Sequence, residues 1–192
     1  MCSVHTGGRV RSLRRLARED LVQHQPKRID VAPRVDVLAG GTQSTVQDAP
    51  GRRGYWHIGV PPSGPFDGYS LRLGNRLLGN PENAAGIEIT MQGPSLVFSR
   101  DTQVVITGAP IEATAQQRSV PMWQTVTMAA GTTLHLGRIR DAGARAYLCV
   151  AGGVQCPQYL GSRSTFRRNP SFSFCEGSMS DRPGVSIIGC HR

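Results

Sequence analysis

The sequence predicts a mainly β protein, and three observations carry that prediction. Short segments with alternating apolar and polar side chains recur through the middle of the chain, as in GIEITMQG at 86–93. Glycine and proline, 23 and 13 of the 192 residues, punctuate most of the gaps between these segments. In this middle region only the stretch after residue 67 has the spacing of an amphipathic helix. Many short strands separated by turns are typical of a closed or nearly closed antiparallel structure.

The strand candidates follow one another from residue 35 onward. In GIEITMQG, Ile87 and Ile89 fall on one face while Glu88 and Thr90 fall on the other, which is the period-2 alternation of a strand. The other candidates are likewise short runs with several apolar side chains, and they are bounded by turn residues. Strands are expected at 35–38, 44–47, 86–93, 102–108, 123–129, 132–137 and 145–153.

One helix interrupts this pattern and is predicted at 68–78. Asp67 is a favourable N-cap, Leu71 and Leu78 share a face, and Gly79 ends the helix. The predicted fold class is therefore mainly β with one or two short helices.

The chain divides into three regions by texture. Residues 1–34 are basic and poorly patterned, with 8 of the 22 basic side chains and 3 of the 13 acidic ones, and we interpret them as an N-terminal segment or linker. Residues 35–166 carry the regular strand signals and form the predicted domain. Residues 167–192 have no sustained period, which predicts a disordered tail unrelated to that domain.

Composition argues against several classes of protein. The net charge of +9 lies mostly outside the patterned middle, and 21 of the 22 basic residues are arginine, so we expect no nucleic-acid binding. No apolar run approaches the roughly 20 residues of a membrane-spanning helix, so no membrane association is expected. The five cysteines form no CxxC pair, and no secretory signal opens the chain, which favours a reducing cytoplasm.

The stretch TVQDAPGRRGYWHIGVPPSGPFD at 45–67 holds many of the candidate functional residues. Three prolines between 61 and 65 fix the backbone, and two glycines permit tight turning or close approach to a ligand. Such a stiff loop suits a preorganised binding rim, where Ser63 and Asp67 are the reactive groups, although it also serves as a plain corner between strand and helix. Asp67 is a helix cap, a catalytic carboxylate, or both.

Glu88 lies in mid-strand beside Thr90, and their face points either to solvent or into a cavity where a carboxylate beside a hydroxyl binds polar substrates. His135 alternates with leucines and should face outward. No HxxxH or HExxH motif is present, so no metal site is expected. Neither a GxSxG elbow nor a Walker or GxGxxG loop occurs, which argues against a serine hydrolase and against binding of ATP or a dinucleotide.

Three long motifs stand in order along the chain: TVQDAPGRRGYWHIGVPPSGPFD, LGNRLLGNPENAAGIEITMQGP and GGVQCPQYLGSRSTF. Together they resemble the carboxyltransferase domain shared by urea carboxylase, the allophanate hydrolase subunit 2 family, Kip-type proteins and the C-type subunit of 5-oxoprolinase. The resemblance runs from about Val35 to Phe166. GYW followed by VPPSGP, and VPMW at 120–123, are most similar to urea carboxylase.

This resemblance implies a cyclophilin-like β-barrel subdomain that takes part in moving a carboxyl group from carboxybiotin to urea, which forms allophanate. Biotin would arrive on a separate carrier domain, charged by a biotin carboxylase domain that uses the ATP. A subunit 1-like half of the carboxyltransferase is a further implied partner. Such a site must hold flat ureido groups and take a proton from an amide nitrogen. The catalytic candidates are Asp67 and Glu88, and the substrate-binding candidates are Ser63, Asn75, Thr90, Gln47, Asp48 and Arg52.

Two other functions stay open within the same resemblance. One is the C-type subunit of 5-oxoprolinase, an enzyme that opens a lactam with ATP and partner subunits, so that 5-oxoproline replaces urea as the small amide substrate. The other is a Kip-like regulatory or binding protein without catalysis. The family pattern continues beyond GSRSTF, where an unrelated sequence follows here. The domain is therefore expected to be incomplete on its C-terminal side, and its activity by itself stays open.

Overall fold

The computed structural model describes residues 34–165 and, beyond them, the backbone of two short strands at Ser173–Phe174 and Ser186–Gly189. The predictions for the basic segment at 1–33 and for most of the tail at 167–192 fall outside the described residues. The boundaries proposed for these two regions stay predictions.

The described residues form strands, one α-helix and one 3₁₀ turn. The α-helix, α1, spans Gly68–Leu77, and the 3₁₀ turn spans Trp56–Ile58. The strands in chain order are β1 (Arg34–Ala39), β2 (Gln43–Gln47), β3 (Gly86–Thr90), β4 (Ser95–Phe98), β5 (Thr102–Gly108), β6 (Ile111–Ala115), β7 (Arg118–Ser119), β8 (Val126–Met128), β9 (Thr133–Ile139), β10 (Arg145–Val150), β11 (Val154–Gln155), β12 (Ser173–Phe174) and β13 (Ser186–Gly189).

These strands make two antiparallel sheets. The larger sheet has the order β11-β13-β1-β4-β9-β6-β7, and the smaller has the order β12-β2-β3-β10-β5-β8. The prediction of a mainly β fold with a single short helix is confirmed. Among the described strands the ladder does not close on itself, because β11, β7, β12 and β8 remain sheet edges, so the expected barrel is observed as two sheets.

The main core lies between the two sheets, where the inward-facing side chains of both meet. Ile87 and Ile89 of β3 and Leu148 of β10 contribute from the smaller sheet, and Leu96 and Leu134 contribute from the larger one, all fully buried. The alternation that predicted β3 therefore arises from burial of its apolar face, as expected for a sheet that packs on another sheet.

The opposite face of the smaller sheet is covered in part by α1, which packs on β10 and β5. Leu71 of the helix meets Tyr147 and Cys149 in a second, smaller core. Gly74 permits this close contact, because a Cβ there would lie 2.8 Å from Cys149 Sγ. The predicted helix is confirmed, with Asp67 as its N-cap.

Several strand boundaries differ from the prediction for identifiable reasons. The strand expected at 86–93 ends at Thr90, because Met91 adopts a left-handed φ of 62°. The strand expected at 123–129 begins only at Val126, since Trp123 has φ 61°. β4, β6 and β7 were not predicted, and each is short and follows a turn. In the part of the chain that the structure describes, no helix has the length and apolar character needed to cross a bilayer.

Candidate functional site

Strand register brings a set of polar side chains together on the helix-covered face of the smaller sheet. Glu88 in β3 lies directly opposite Thr45 in β2 on one side and Tyr147 in β10 on the other. Thr90 lies opposite Arg145. Directly paired residues share a sheet face, so these side chains form one polar surface on the face opposite the main core.

Glu88 occupies the centre of this surface and is only 8% exposed. Its Oε2 atom accepts two hydrogen bonds, from the Phe66 backbone N–H at 2.7 Å and from the Tyr147 hydroxyl at 2.8 Å. Its Oε1 atom faces the guanidinium of Arg145, with Nε 3.6 Å away. Glu88 is therefore not on the solvated face that was one of its two expected placements, and the other, facing a cavity that binds substrate, stays a prediction.

The proline-rich loop at 59–67 lies over Glu88. Hydrogen bonds from its backbone to side chains of the sheet hold it there. Gln47, on β2, accepts a hydrogen bond from Gly64 N–H at 3.0 Å through Oε1, while its Nε2 donates to Thr45 Oγ1. Ser63 has φ 53° and Gly64 has φ 93°, which turns the chain sharply before Phe66. This turn is what aims the Phe66 N–H at the carboxylate.

Asp67 caps α1 with both carboxylate oxygens. Oδ1 accepts from the N–H groups of Tyr69 and Ser70 at 3.1 Å each, and Oδ2 accepts from the Ser70 hydroxyl at 2.5 Å. Its own N–H donates to the Tyr147 hydroxyl oxygen at 2.7 Å. Tyr147 thus joins the two predicted catalytic carboxylates, Asp67 through its backbone and Glu88 through its side chain.

Tyr147 is fully buried and stays a neutral phenol at ordinary pH. Burial raises the pKa of its hydroxyl far above the usual value, and the adjacent Glu88 carboxylate adds to the rise, although the hydrogen bond from Asp67 N–H acts in the opposite direction. The hydroxyl therefore acts as a fixed donor to Glu88.

Asp48 and Arg52 belong to a second polar cluster, which we call the clamp because it ties residues 48–52 to residues 159–165. Asp48 Oδ1 accepts from the hydroxyls of Ser162 and Ser164, and Oδ2 accepts from the Arg163 N–H. Arg52 is 2% exposed and donates to the carbonyl oxygens of Tyr159 and Ser164 at 2.8 Å each.

The clamp supports the loop that covers Glu88. Arg52 N–H donates to the Pro62 carbonyl, and a Cβ on Gly51 would lie 2.7 Å from the same oxygen. The roles that the structure gives Gln47, Asp48 and Arg52 are those of supports for the loop, and their predicted part in substrate binding stays a prediction.

The remaining predicted residues lie in different places. Asn75 is fully buried beyond the middle of α1, where Nδ2 donates to the Ala84 carbonyl at 2.8 Å and Oδ1 accepts from Asn80. These bonds anchor the helix to the turn before β3. Thr90 and Ser63 are half-buried, with Thr90 at the end of β3 beside Arg145.

Two residues of the site were not predicted from the sequence, Arg145 and Tyr147. Both lie on β10, whose sequence RAYLCV is buried on both faces and so lacks a clear polar alternation. The signal that could have indicated them is an arginine followed two residues later by a tyrosine in an otherwise apolar strand. His135, in contrast, is exposed as predicted and bonds Ser95 on the larger sheet, away from this surface.

The chemistry available here is that of one buried carboxylate and one guanidinium. Within the described residues, no group of three or more His, Cys, Asp or Glu side chains is placed to hold a metal ion. The Nε atom of Arg145 is buried and makes no hydrogen bond to any described residue. Such a donor fits a ligand that offers a planar oxygen acceptor.

Comparison with known proteins gives consistent results. The sequence profile of the carboxyltransferase domain, subdomain A and B, matches residues 58–172. Urea amidolyase of Saccharomyces cerevisiae is 46% identical over 132 residues, which are 69% of this chain and 7% of the relative. The C-type subunit of 5-oxoprolinase from Haemophilus influenzae is 37% identical over 131 residues, 68% of this chain and 42% of the relative.

The crystal structure of the Kluyveromyces lactis urea carboxylase superposes with a TM-score of 0.72 at 39% identity, covering 84% of this chain and 14% of the other. The chain therefore covers 7% and 42% of the length of the two relatives named above and 14% of this crystal structure. Since the profile covers more than half of the chain, and the helix and the strands that carry Glu88 and Arg145 fall in the matched part, the chain belongs to the family of carboxyltransferase domains, subdomain A and B.

Proposed function

We propose that this chain supplies part of the site of a biotin-dependent carboxyltransferase that moves a carboxyl group to urea. The observation that supports this proposal most directly is the state of Glu88: it is buried under a stiff loop, yet one of its oxygens accepts no hydrogen bond from the described residues. A carboxylate held this way can take up a proton without first breaking its supports.

Glu88 carries a proton between the two nitrogens of the reaction. A urea nitrogen forms a bond to the carboxyl carbon and loses a proton, which Glu88 Oε1 receives. The nitrogen that the carboxyl group leaves takes a proton back from Glu88, so the carboxylate is restored. Carboxybiotin, brought by a carrier domain, supplies the activated carboxyl group. Tyr147 and the Phe66 N–H hold Oε2 throughout, so that only Oε1 exchanges protons.

The charge of the site fits this reaction. Arg145 Nε lies 3.6 Å from Oε1, so a guanidinium stands beside the oxygen that exchanges the proton. Its guanidinium is also placed to orient the planar acceptor substrate. The residues that hold the loop, Gln47 and the clamp, keep the Phe66 N–H at the carboxylate and so preserve the geometry.

The test uses the complete carboxyltransferase that contains this chain, with its carrier, and measures transfer of labelled carboxyl to urea. Glu88→Gln keeps an acceptor for Phe66 and Tyr147 but removes the base, so kcat should fall by about 100-fold or more. Glu112→Gln is the matched control, because Glu112 is exposed on β6 and pairs with the surface residue Arg140. A folded Glu88→Gln variant with normal turnover would refute the role of Glu88.

A second candidate is the C-type subunit of a 5-oxoprolinase. It is supported by one observation: the chain is 37% identical over 131 residues to the C-type subunit of 5-oxoprolinase from Haemophilus influenzae. In this case the same groups would act on the lactam of 5-oxoproline, with ATP used by partner subunits. Consumption of 5-oxoproline but not urea by the assembled enzyme would establish this alternative.

A further inference from the structure

We propose that Arg145 and Glu88 together recognise one edge of the substrate, the edge on which an N–H and a C=O lie side by side. This inference rests on the proposed function, since it names how that same site selects its substrate. Arg145 and Glu88 lie diagonally across the β3–β10 pair, with Glu88 opposite Tyr147 and Arg145 opposite Thr90. Long side chains in such a diagonal pair reach one another on a single face.

The two facing atoms are complementary, but they are too far apart to bond each other well. Glu88 Oε1 is an acceptor and Arg145 Nε is a donor, and 3.6 Å separates them, beyond the 2.7–3.2 Å of ordinary N–H···O bonds. Nε makes no hydrogen bond to a described residue, and Nη1 donates only to the adjacent Ala144 carbonyl. A buried donor left unsatisfied is costly, so a ligand acceptor at Nε is favoured.

An amide edge with N–H beside C=O supplies a donor for Glu88 Oε1 and an acceptor for Arg145 Nε. Its N–H donates to Glu88 Oε1 while its carbonyl oxygen accepts from Arg145 Nε. Urea, cyclic ureas and lactams present this edge, whereas an open-chain secondary amide holds its N–H and C=O on opposite sides of a trans bond. The selected class is therefore a urea, a cyclic amide or a primary amide, which includes both substrates considered above.

The Phe66 side chain lies against the Arg145 guanidinium. Its ring centroid lies 5.3 Å from Arg145 Cζ, while its side chain is 81% exposed. The backbone on either side is held, because Phe66 N–H bonds Glu88 and Asp67 N–H bonds Tyr147. Access of a ligand to the buried Nε requires this exposed ring to rotate while the loop stays in place, and the ring then stacks on the flat ligand.

The test measures binding to the full chain with small probes and needs no catalysis. The probes are 2-imidazolidinone and 2-pyrrolidinone, which have the required edge, and N-methylacetamide and N-methyl-2-pyrrolidinone, which lack it. Binding is followed by the shift of the Arg145 Nε–H signal in ¹H–¹⁵N spectra, assigned by its loss in Arg145→Lys. The first two probes should shift this signal, and the other two should bind at least about tenfold more weakly, the ratio expected for about 1.4 kcal/mol.

Followed by the shift of the Phe66 backbone N–H signal, which both proteins retain, binding of the first two probes should be about tenfold or more weaker in Arg145→Lys, because lysine keeps the charge but loses the rigid donor edge. Arg140→Lys is the matched control and should leave binding unchanged, since Arg140 forms an exposed ion pair with Glu112. Equal binding of all four probes to the wild-type chain would overturn the inference, whether or not the lysine variant folds. Equal binding of 2-pyrrolidinone to wild type and to a folded Arg145→Lys would overturn it as well.

The same experiments separate this inference from the proposed function. Selective probe binding at Arg145 together with normal turnover in Glu88→Gln would support the recognition role and reject Glu88 as the base. Loss of turnover in Glu88→Gln without discrimination among the four probes would support the base and reject the recognition role.

Discussion

The clamp and the Glu88 surface contain the same kinds of groups, a carboxylate, an arginine and nearby hydroxyls, but use them differently. In the clamp, Asp48 accepts hydrogen bonds on both oxygens, from Ser162 and Ser164 on Oδ1 and from Arg163 N–H on Oδ2. On the Glu88 surface, both donors converge on Oε2 and leave Oε1 facing Arg145 at 3.6 Å.

This difference distinguishes a carboxylate that stabilises the structure from one that can take part in a reaction. A carboxylate whose oxygens are all bonded is stabilised where it is, and a substrate must compete with those bonds. A carboxylate held by one oxygen keeps its position and still has an acceptor to offer. By this criterion we expect Asp48 and Asp67 to be supporting groups and Glu88 to be the functional one.

The largest predicted effect on stability is in the clamp. Asp48→Ala leaves the Ser162 and Ser164 hydroxyls and the Arg163 N–H without their acceptor, so the free energy of unfolding should fall by about 3 kcal/mol. Glu88→Gln should change it by less than about 1 kcal/mol, because an amide oxygen still accepts from Phe66 and Tyr147. Guanidinium chloride unfolding of both variants checks the comparison, and an equal loss in the two would contradict the criterion.

Alanine substitutions at two glycines, Gly51 and Gly59, test the contact between the clamp and the loop. Gly51→Ala places a methyl group 2.7 Å from the Pro62 carbonyl at a φ of 81°, so it should cost about 2 kcal/mol and shift the loop. Gly59→Ala has a similar φ of 78° but open space around the new methyl, so it should cost only about 1 kcal/mol. Turnover of the complete enzyme should fall in Gly51→Ala alone. Equal costs and equal turnover in both would show that the loop does not depend on the clamp.

The structural features that could be predicted are those that depend on residues close together in the sequence. The Asp67 cap and the helix at Gly68–Leu77 follow from spacing within one turn, and the strand at Thr102–Gly108 follows from its own composition. The clamp joins Asp48 to Ser164, residues 116 positions apart, and no local pattern encodes that contact. The role of Glu88 likewise depends on β10, where burial of both faces removes the alternation that marks functional side chains.

On the Glu88 surface, Tyr147→Phe should have a moderate effect. It removes the donor to Glu88 Oε2 and the acceptor for Asp67 N–H, which should cost about 1.5 kcal/mol near pH 7. The pKa of Tyr147 is raised in the folded state, so its contribution is complete below the unfolded value near 10 and is lost as the pH rises above it. The difference in stability between wild type and Tyr147→Phe should therefore shrink between pH 8 and pH 11. A difference that grows over this range would contradict the assignment of a buried neutral phenol.

The smallest effect is expected at Asp67, where Asp67→Asn separates the cap from catalysis. Asparagine caps a helix about as well as aspartate, so the free energy of unfolding should change by less than about 0.5 kcal/mol, whereas Asp67→Ala should lose about 1 kcal/mol. Because the Ser70 hydroxyl and two backbone N–H groups already occupy the carboxylate, turnover in Asp67→Asn should stay within about threefold of wild type. The catalytic role that the sequence also allowed for Asp67 stays a prediction, and it implies a different result for this variant. If Asp67 is the base, kcat in Asp67→Asn should fall by about 100-fold without loss of stability. Combining Asp67→Asn with Glu88→Gln decides between the two, since a supporting group adds nothing to the loss caused by removing the base.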